Sequence, residues 1–304
     1  MLTSSVPPPR VAIALPAWRA EAFVAETLAS MLGQTYREFS LHVSVDGNDG
    51  RTAEFCASVT RDSRVTVVLQ PNRLGWVGNT NAALRAGAGA DFSLIMPHDD
   101  LVAPNYLETL VGRAVAFADA ACIYSDIETF GLTPGAGSHG RFRQPRVVGS
   151  PFQRQQQLLR EHFPAVAFRG LVRQVRGEPL LLCSNDTDDF AADTVYMARI
   201  ARHGDLLRVA RPLYRKRYHA GNTHVAWEQW DAPRQCRAWR LHCCAMLDEA
   251  LPCAASATET AALIAAAEAR LMSFPLCPLP HVNALSATER NDQLAAFQGE
   301  SSTA

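Results

Sequence analysis

The sequence predicts an α/β protein in which a mostly parallel sheet is flanked by helices. Short apolar runs of strand length alternate with segments of helical periodicity five times within about the first 125 residues. Such alternation favours parallel strands joined by right-handed helical crossovers. The composition agrees, because 48% of the 304 residues are hydrophobic and 19% are charged, which is ordinary for one large or two modest globular domains.

The elements of the first half follow from apolar runs that end at turn residues. Strands are predicted at 11–15, 39–45, 65–69, 94–96 and 121–125. Helical spacing follows each of the first four strands, at 23–32, 52–60, 77–86 and from Pro104 onward. Each strand therefore leads into a helix, as a parallel sheet requires.

The pattern changes after residue 126. Residues 131–150 are rich in Gly, Pro and Arg and predict a mobile surface excursion. Helices are then predicted at 152–162, 190–203, 228–250 and 257–273, and strands at 178–183 and 212–219. The tail after Pro275 has no clear period.

Composition also limits the partners and the compartment. The formal net charge is −1, so no global field favours nucleic acid or an anionic membrane. The eight cysteines include no Cys-x-x-Cys pair, which predicts reduced thiols in a cytoplasmic protein. The N-terminus lacks the apolar core of a signal peptide, and no apolar run reaches the roughly 18 residues expected of a transmembrane segment.

Two adjacent acids, Asp99 and Asp100, follow the 94–96 strand directly after Pro97 and His98. The carboxyl ends of parallel strands are where open α/β sheets bind ligands. Neighbouring carboxylates repel each other, and a divalent cation relieves that repulsion while bridging to substrate phosphates. The alternative is a solvated turn in which Asp serves only as a turn residue.

Several short motifs occur in a definite order around these acids. They are Pro16-Ala-Trp18, Gln34-Thr-Tyr36, Asp46-Gly-Asn48, the segment 75–81, Asp99-Asp100-Leu-Val-Ala-Pro104, Asp193 with Arg199 and Gly204, and Pro212-Leu-Tyr-Arg215 with Tyr218-His219. Their order and spacing resemble the family 2 glycosyltransferases of the GT-A fold over roughly residues 11–220. The resemblance implies a Rossmann-like, mostly parallel sheet, here with a helical C-terminal extension.

The resemblance also implies roles for individual residues. The nucleotide-sugar donor would contact Pro16, Asp46, Asn79, Asp99, Asp100 and Arg217. Mn²⁺ or Mg²⁺ would be held by Asp100 and His219, although a lone His is more often structural. Asp193 would be the catalytic base, with Asp188 or Asp189 as alternatives. The chain departs from the family pattern at Val45, Pro97, Thr80 and Ala192.

The motifs and the composition are compatible with three functions. The first is a metal-dependent, inverting glycosyltransferase that moves a sugar from a nucleotide-diphosphate sugar to a glycan, lipid-linked or small-molecule acceptor. The second is a non-catalytic sugar- or partner-binding relative of the same fold. The third is a nucleotidyltransferase, which is disfavoured because the segment after the first strand, 16–20, contains no Gly.

The resemblance divides the chain into regions. Residues 1–10 are predicted to be disordered, and 11–224 to form the GT-A domain, with a nucleotide-binding half at 11–126 and an acceptor half at 127–224. Residues 225–304 are predicted to be a helical region through which a second copy of the chain could associate. The expected location is cytoplasmic, with the inner face of the membrane as an alternative.

Overall fold

The computed structural model describes residues 7–131, 140–161, 165–219, 221–222, 226–273 and 277–301. Its strands are β1 (Val11–Ala17), β2 (Phe39–Val45), β3 (Val65–Leu69), β4 (Phe92–Ile95), β5 (Leu101–Val102), β6 (Ala120–Phe130), β7 (Arg141–Phe142), β8 (Leu171–Arg173) and β9 (Asp205–Arg217). Its α-helices are α1 (Val24–Leu32), α2 (Gly50–Val59), α3 (Gly75–Ala86), α4 (Tyr106–Ala116), α5 (Pro151–Arg160), α6 (Ala192–His203), α7 (Ala232–Ala250), α8 (Ala257–Met272), α9 (Pro280–Asn283) and α10 (Ala287–Ser301).

The strands form one mixed sheet in the order β3-β2-β1-β4-β8-β6-β9-β5, with β7 paired to β6. The first four strands of this order are mutually parallel. Ile13, Leu15 and Leu41 are fully buried in them, as expected for parallel strands covered on both faces. The prediction of an α/β fold with a mostly parallel sheet and a helical C-terminal region is confirmed.

The second half of the sheet departs from simple alternation. The three-residue strand β8 lies antiparallel between β4 and β6, so the fifth predicted strand does not pair with the fourth. A three-residue strand is too short to produce a recognisable period in the sequence. Gly170, just before it, allows the close approach, because a Cβ there would lie 2.6 Å from Cys122 Sγ.

The strand β6 is longer than predicted. It continues past Asp126 to Phe130 and pairs in parallel with β9 along most of its length. Asp126 therefore lies within the strand instead of ending it. Its two carboxylate oxygens accept hydrogen bonds from Arg208 on β9, at 2.6 and 2.8 Å.

The predicted strand at 178–183 is wrong, because this segment has no ladder of strand hydrogen bonds. A side chain replaces the ladder. Asn81 donates to the carbonyl oxygen of Leu182 and accepts from its amide, both at 2.9 Å. Two backbone polar groups are thereby satisfied without a neighbouring strand.

The C-terminal helices pack on the sheet domain through α5 and α6. Helix α7 begins at residue 232, later than predicted, because Asp231 caps it by accepting a hydrogen bond from the amide of Arg234 at 2.9 Å. The tail without a clear period forms α9 and α10. Of the helices in the described part of the chain, none is long and apolar enough to cross a membrane. Part of the predicted surface excursion, 132–139, lies outside the described residues.

Candidate active site

The predicted donor residues collect at the carboxyl ends of β2, β1 and β4. Asp46 directly follows β2, Pro16 lies near the end of β1, and Asp99 follows β4 by a few residues. His98 links two of these ends, because its Nδ1 lies 3.2 Å from the Pro16 carbonyl oxygen. The residues that were predicted from separate motifs therefore lie at one edge of the sheet.

Asp99 is paired with the distant residue His219. Their Oδ2 and Nε2 atoms are 2.9 Å apart, and Asn222 donates to the same oxygen at 3.2 Å. Burial opposes ionisation of Asp99, but the hydrogen bond from His219 and the positive charges nearby outweigh it, and the pKa of Asp99 is lowered. Asp99 is 9% exposed, so it keeps a small contact with solvent.

Asp100 is more deeply buried and already has partners on both oxygens. Its Oδ2 accepts from Tyr214 Oη at 2.7 Å and from Arg169 Nε at 3.1 Å, while Oδ1 accepts from the Arg217 amide at 2.8 Å. Burial raises the pKa of Asp100, and Arg169 acts in the opposite direction. With 1% exposure and these bonds, Asp100 is placed to hold the site together and is poorly placed to bind a metal.

Arg217 belongs to the same cluster. Its Nε donates to the Asp99 carbonyl oxygen at 2.9 Å, and its guanidinium lies over the rings of Phe23 and Phe130. Its Nη2 is 2.8 Å from Glu26 Oε2. These contacts position the segment that carries Asp99, and they leave Arg217 close to any anion bound there.

Lys216 lies next to Arg217 on β9, and its charge interacts with that of Asp193. Burial lowers its pKa to about 8, and the neighbouring charge of Arg169 acts in the same direction. The carboxylates of Asp100, Asp193 and Asp99 oppose that shift. The Lys216 ammonium therefore loses its proton more readily than an ordinary lysine. It does so near three predicted site acids, Asp99, Asp100 and Asp193.

Asp193 lies in the first turn of α6 and keeps some solvent exposure. Its Oδ1 accepts from the amide of Thr194 at 2.9 Å. Burial raises its pKa, while Arg169 and Lys216 oppose that shift. A carboxyl group with a raised pKa that faces other site residues is suited to proton transfer near neutral pH.

The two alternative acids face different surroundings. Asp188 forms an ion pair with Arg234 of α7 at the surface. Asp189 Oδ1 accepts from the amide of Asn185 at 2.9 Å and so closes a local turn. Of the three candidate bases, Asp193 is the one on which the positive charge of Arg169 acts, as it also acts on Asp100.

Asp46 lies with two residues that sequence reasoning did not single out. Its Oδ1 accepts from the amide of Leu74 at 2.6 Å, and its Oδ2 is 3.1 Å from Arg73 Nε. The Arg73 guanidinium stacks on the Trp18 ring, 3.5 Å from its centroid. Gly47 permits this approach, because a Cβ there would lie 2.1 Å from the backbone of Asn72. A flat ring, a cation and a carboxylate thus lie together at the carboxyl ends of β1 and β2.

Asn79 contributes mainly to the framework. Asn79 is 2% exposed, accepts from Ser44 Oγ at 2.6 Å and donates to the carbonyl oxygens of Ser44 and Ala17. Its polar atoms hold β1 beside β2 and are occupied by these bonds. The predicted contact between Asn79 and the donor therefore has no support from this geometry.

Arg169 is a further residue that the sequence does not single out. It precedes β8, bonds to Asp100, and its charge acts on Asp193, Asp99 and Lys216. No periodicity or turn signal marks it, since it becomes part of the site only when β8 inserts into the sheet.

A divalent metal fits the pair of Asp99 and His219. Carboxylate oxygen and imidazole nitrogen are suitable ligands for Mn²⁺, and Mg²⁺ uses one or two carboxylates together with substrate phosphates. Within the described residues, no group of three or more His, Cys, Asp or Glu side chains is arranged to hold a metal alone. The pair could hold a cation only if substrate or water completed its shell.

The sequence model of the family described as Glycosyl transferase family 2 matches residues 12–176, just over half of the chain. The chain belongs to this family. The prediction made from the motifs is thereby confirmed, and the match covers β1 through β8.

Curated relatives in this family match a shorter stretch. An uncharacterized glycosyltransferase of Haemophilus influenzae is 27% identical over 104 residues, which are 34% of this chain and 32% of the relative. Glycosyltransferase GlyG of Streptococcus pneumoniae is 28% identical over 101 residues, which are 33% of each chain. The chain thus spans about a third of the length of these relatives.

Solved structures share the whole fold. S. aureus TarS 1-349 in complex with UDP-GlcNAc has a TM-score of 0.58 at 14% identity, covering 96% of this chain and 88% of that one. The mannosyltransferase PcManGT of Pyrobaculum calidifontis, in complex with GDP-Man and Mn2+, has a TM-score of 0.53 at 14% identity, covering 97% and 83%. At such low identity, these similarities establish the fold of this family 2 member and no more.

Proposed function

We propose that this family 2 member is a metal-dependent, inverting glycosyltransferase that moves a sugar from a nucleotide-diphosphate sugar to an acceptor hydroxyl. The observation that carries the proposal is the convergence of Asp99 and His219, 2.9 Å apart, at the carboxyl end of β4. Family membership supports it, and so do the nucleotide sugars bound to TarS and to PcManGT.

In this proposal Asp99 and His219 hold the metal, while Asp100 supports them. The resemblance predicts Asp100 as a ligand together with His219, but the oxygens of Asp100 already accept hydrogen bonds from Arg169, Tyr214 and the Arg217 amide. A Mn²⁺ or Mg²⁺ ion at Asp99 and His219 would neutralise charge on the leaving diphosphate as a Lewis acid.

The nucleotide would lie along the carboxyl ends of β1 and β2. The Trp18 ring and the Arg73 guanidinium offer flat surfaces on which a base can stack. Asp46 would accept hydrogen bonds from the base or the ribose next to its contact with Arg73, whose side chain is half exposed. This arrangement orients the donor with its diphosphate toward Asp99.

Asp193 would act as the general base. Its carboxylate removes the proton of the acceptor hydroxyl as that oxygen forms a bond to the anomeric carbon. The bond between that carbon and the diphosphate oxygen breaks on the opposite face, so the configuration of the sugar inverts. The raised pKa of Asp193 makes this carboxylate more basic than an ordinary Asp, while the charges of Arg169 and Lys216 favour its ionised form.

The proposal is tested by the release of UDP or GDP from UDP-GlcNAc, UDP-glucose and GDP-mannose, with water as the acceptor. We expect turnover of at least one donor with Mn²⁺, its loss in EDTA, and a fall of about 10²–10⁴-fold for Asp193→Asn. NMR of the released sugar should show the inverted anomer. Binding of a donor without turnover in every condition would instead identify a non-catalytic relative.

A further inference from the structure

The segment before the candidate base has an unusual backbone. Asp188, Asp189 and Ala191 have positive φ angles of 51°, 57° and 51°. Residues with side chains rarely adopt this conformation, and it persists only where the surrounding structure enforces it. Helix α6 begins directly afterwards, and its N-cap residue, Ala191, provides no side-chain hydrogen bond. The position of Asp193 therefore depends on contacts from outside its own helix.

Helix α7 and the segment leading into it supply such contacts at this end. Arg234 and Arg237 pair with Asp188 and Asp186 in the loop. Phe190, which is 1% exposed, packs edge-on against Trp227 at 4.8 Å and against His242 of α7 at 5.9 Å. The exposed ion pairs contribute little alone, so the buried ring is the main restraint here.

Near its C-terminal end, α7 contacts α6 again through one buried acid. Glu249 is 6% exposed, and its Oε1 accepts from Arg199 Nε at 2.9 Å. Its Oε2 accepts from Arg202 Nη1 at 3.0 Å. Arg199 lies six residues after Asp193, which is about 9 Å along a helix. Arg199 Nη1 also donates to the Leu181 carbonyl oxygen at 3.0 Å.

We infer that α7 positions Asp193 for proton transfer, with Glu249 as the central positioning residue through its bonds to Arg199 and Arg202. The inference rests on the proposed role of Asp193. Glu249 touches no substrate in this scheme. It fixes the rotation and the axial position of α6, while the Phe190 contacts fix the strained turn from which the helix starts. The C-terminal region would then support catalysis without contributing a catalytic acid.

Glu249→Gln tests the inference because it keeps the size of the side chain and removes its charge. We expect kcat for donor turnover to fall about 5–20-fold, while the Kd of UDP or GDP with Mn²⁺ stays within twofold. Amide hydrogen exchange should accelerate in α6 and stay unchanged in α3. Glu249→Asp, which keeps the charge, should recover part of the lost kcat.

Arg240→Gln is the matched control. Arg240 also pairs α7 with a carboxylate, Glu300, but that residue lies on α10, away from α6. This variant should keep its kcat even if it loses thermal stability. An equal fall of kcat in both variants would mean that Glu249 serves only stability, and would overturn the inference. If Glu249→Gln does not fold, Arg202→Gln tests the more exposed half of the same contact.

The two proposals fail in different ways. Normal turnover by Asp193→Asn would overturn the proposed base, whatever exchange α6 shows. An inactive Asp193→Asn together with a Glu249→Gln variant of normal kcat and normal exchange would overturn the positioning role alone.

Discussion

His219 Nε2 lies 2.9 Å from Asp99 Oδ2, although 120 residues separate the two in the chain. Asp99 follows β4, and His219 follows β9, which is separated from β4 in the sheet by β8 and β6. The end of β9 reaches the site because Arg217 bonds to both acids, through its amide to Asp100 and through its side chain to the Asp99 carbonyl oxygen. The strand β5, which begins directly after Asp100, also pairs antiparallel with β9 and places Leu101 opposite Arg215. This pairing holds the segment of the two acids beside the end of β9.

The first prediction concerns the metal. Asp99→Asn and His219→Ala should each weaken the binding of UDP or GDP in Mn²⁺ by at least about tenfold, or about 1.4 kcal/mol, because each removes a ligand. Calorimetry with Mn²⁺ and with EDTA measures the difference. Asp100→Asn is the comparison, and we expect it to reduce stability more than metal dependence. Equal affinities of the wild type in Mn²⁺ and in EDTA would refute the metal site. Loss of metal dependence in Asp100→Asn alone would show that Asp100, and not Asp99, is the carboxylate ligand.

The second prediction concerns the stability of Asp193→Asn. In the wild type, burial is the main cause that raises the folded-state pKa of the Asp193 carboxyl group. The stability that this group contributes is therefore complete below its unfolded-state pKa and is lost as the pH rises through its folded-state pKa. The Asn side chain does not ionise, so the variant does not lose stability in this way as the pH rises. The variant should therefore have a higher Tm than the wild type at pH 7, with a margin that shrinks as the pH is lowered.

Thermal denaturation at a series of pH values measures that margin. Asp186→Asn, a change at an acid whose side chain is 64% exposed, serves as the control and should alter stability by no more than about 0.5 kcal/mol. A destabilised Asp193→Asn at pH 7 would show that its carboxylate is favourably paired in the fold.

The third prediction concerns the buried ion pair of Arg169 and Asp100, whose side chains are 13% and 2% exposed. Arg169→Gln should cost about 3–5 kcal/mol of unfolding free energy, because it leaves a carboxylate buried without its cation. Arg141→Gln breaks the exposed pair with Glu128 and should cost about 0–1 kcal/mol. Urea denaturation of the two variants gives both values. A loss below 1 kcal/mol for Arg169→Gln would mean that Asp100 is protonated in the folded protein.

The fourth prediction concerns the nucleotide base. Trp18→Ala should weaken the binding of UDP or GDP by about 1–3 kcal/mol if the base stacks on this ring, as aromatic side chains stack on bases elsewhere. Phe117→Ala is the control, since Phe117 is an exposed ring beside Arg113 on α4. Calorimetry on both variants makes the comparison. Unchanged affinity in Trp18→Ala would move the base away from the end of β1.

The sequence by itself determined the parallel half of the fold, because each strand there is a continuous apolar run and each helix follows with its own period. It also determined the family, through short motifs in a definite order, and the family model matches the same region. The same motifs predict site roles for Asp46, Asp99, Asp100, Asp193 and Arg217.

Only the tertiary structure decided what each of these residues touches. The number of free carboxylate oxygens on Asp99 and on Asp100 depends on the donors that surround each acid, and those donors come from β9, from the segment after it and from Arg169. Arg169 enters the site because β8, three residues long, inserts antiparallel between β4 and β6. Glu249 reaches α6 from the far end of α7. Contacts between residues so distant in the chain leave no local period or turn signal, so they arise only when the elements pack.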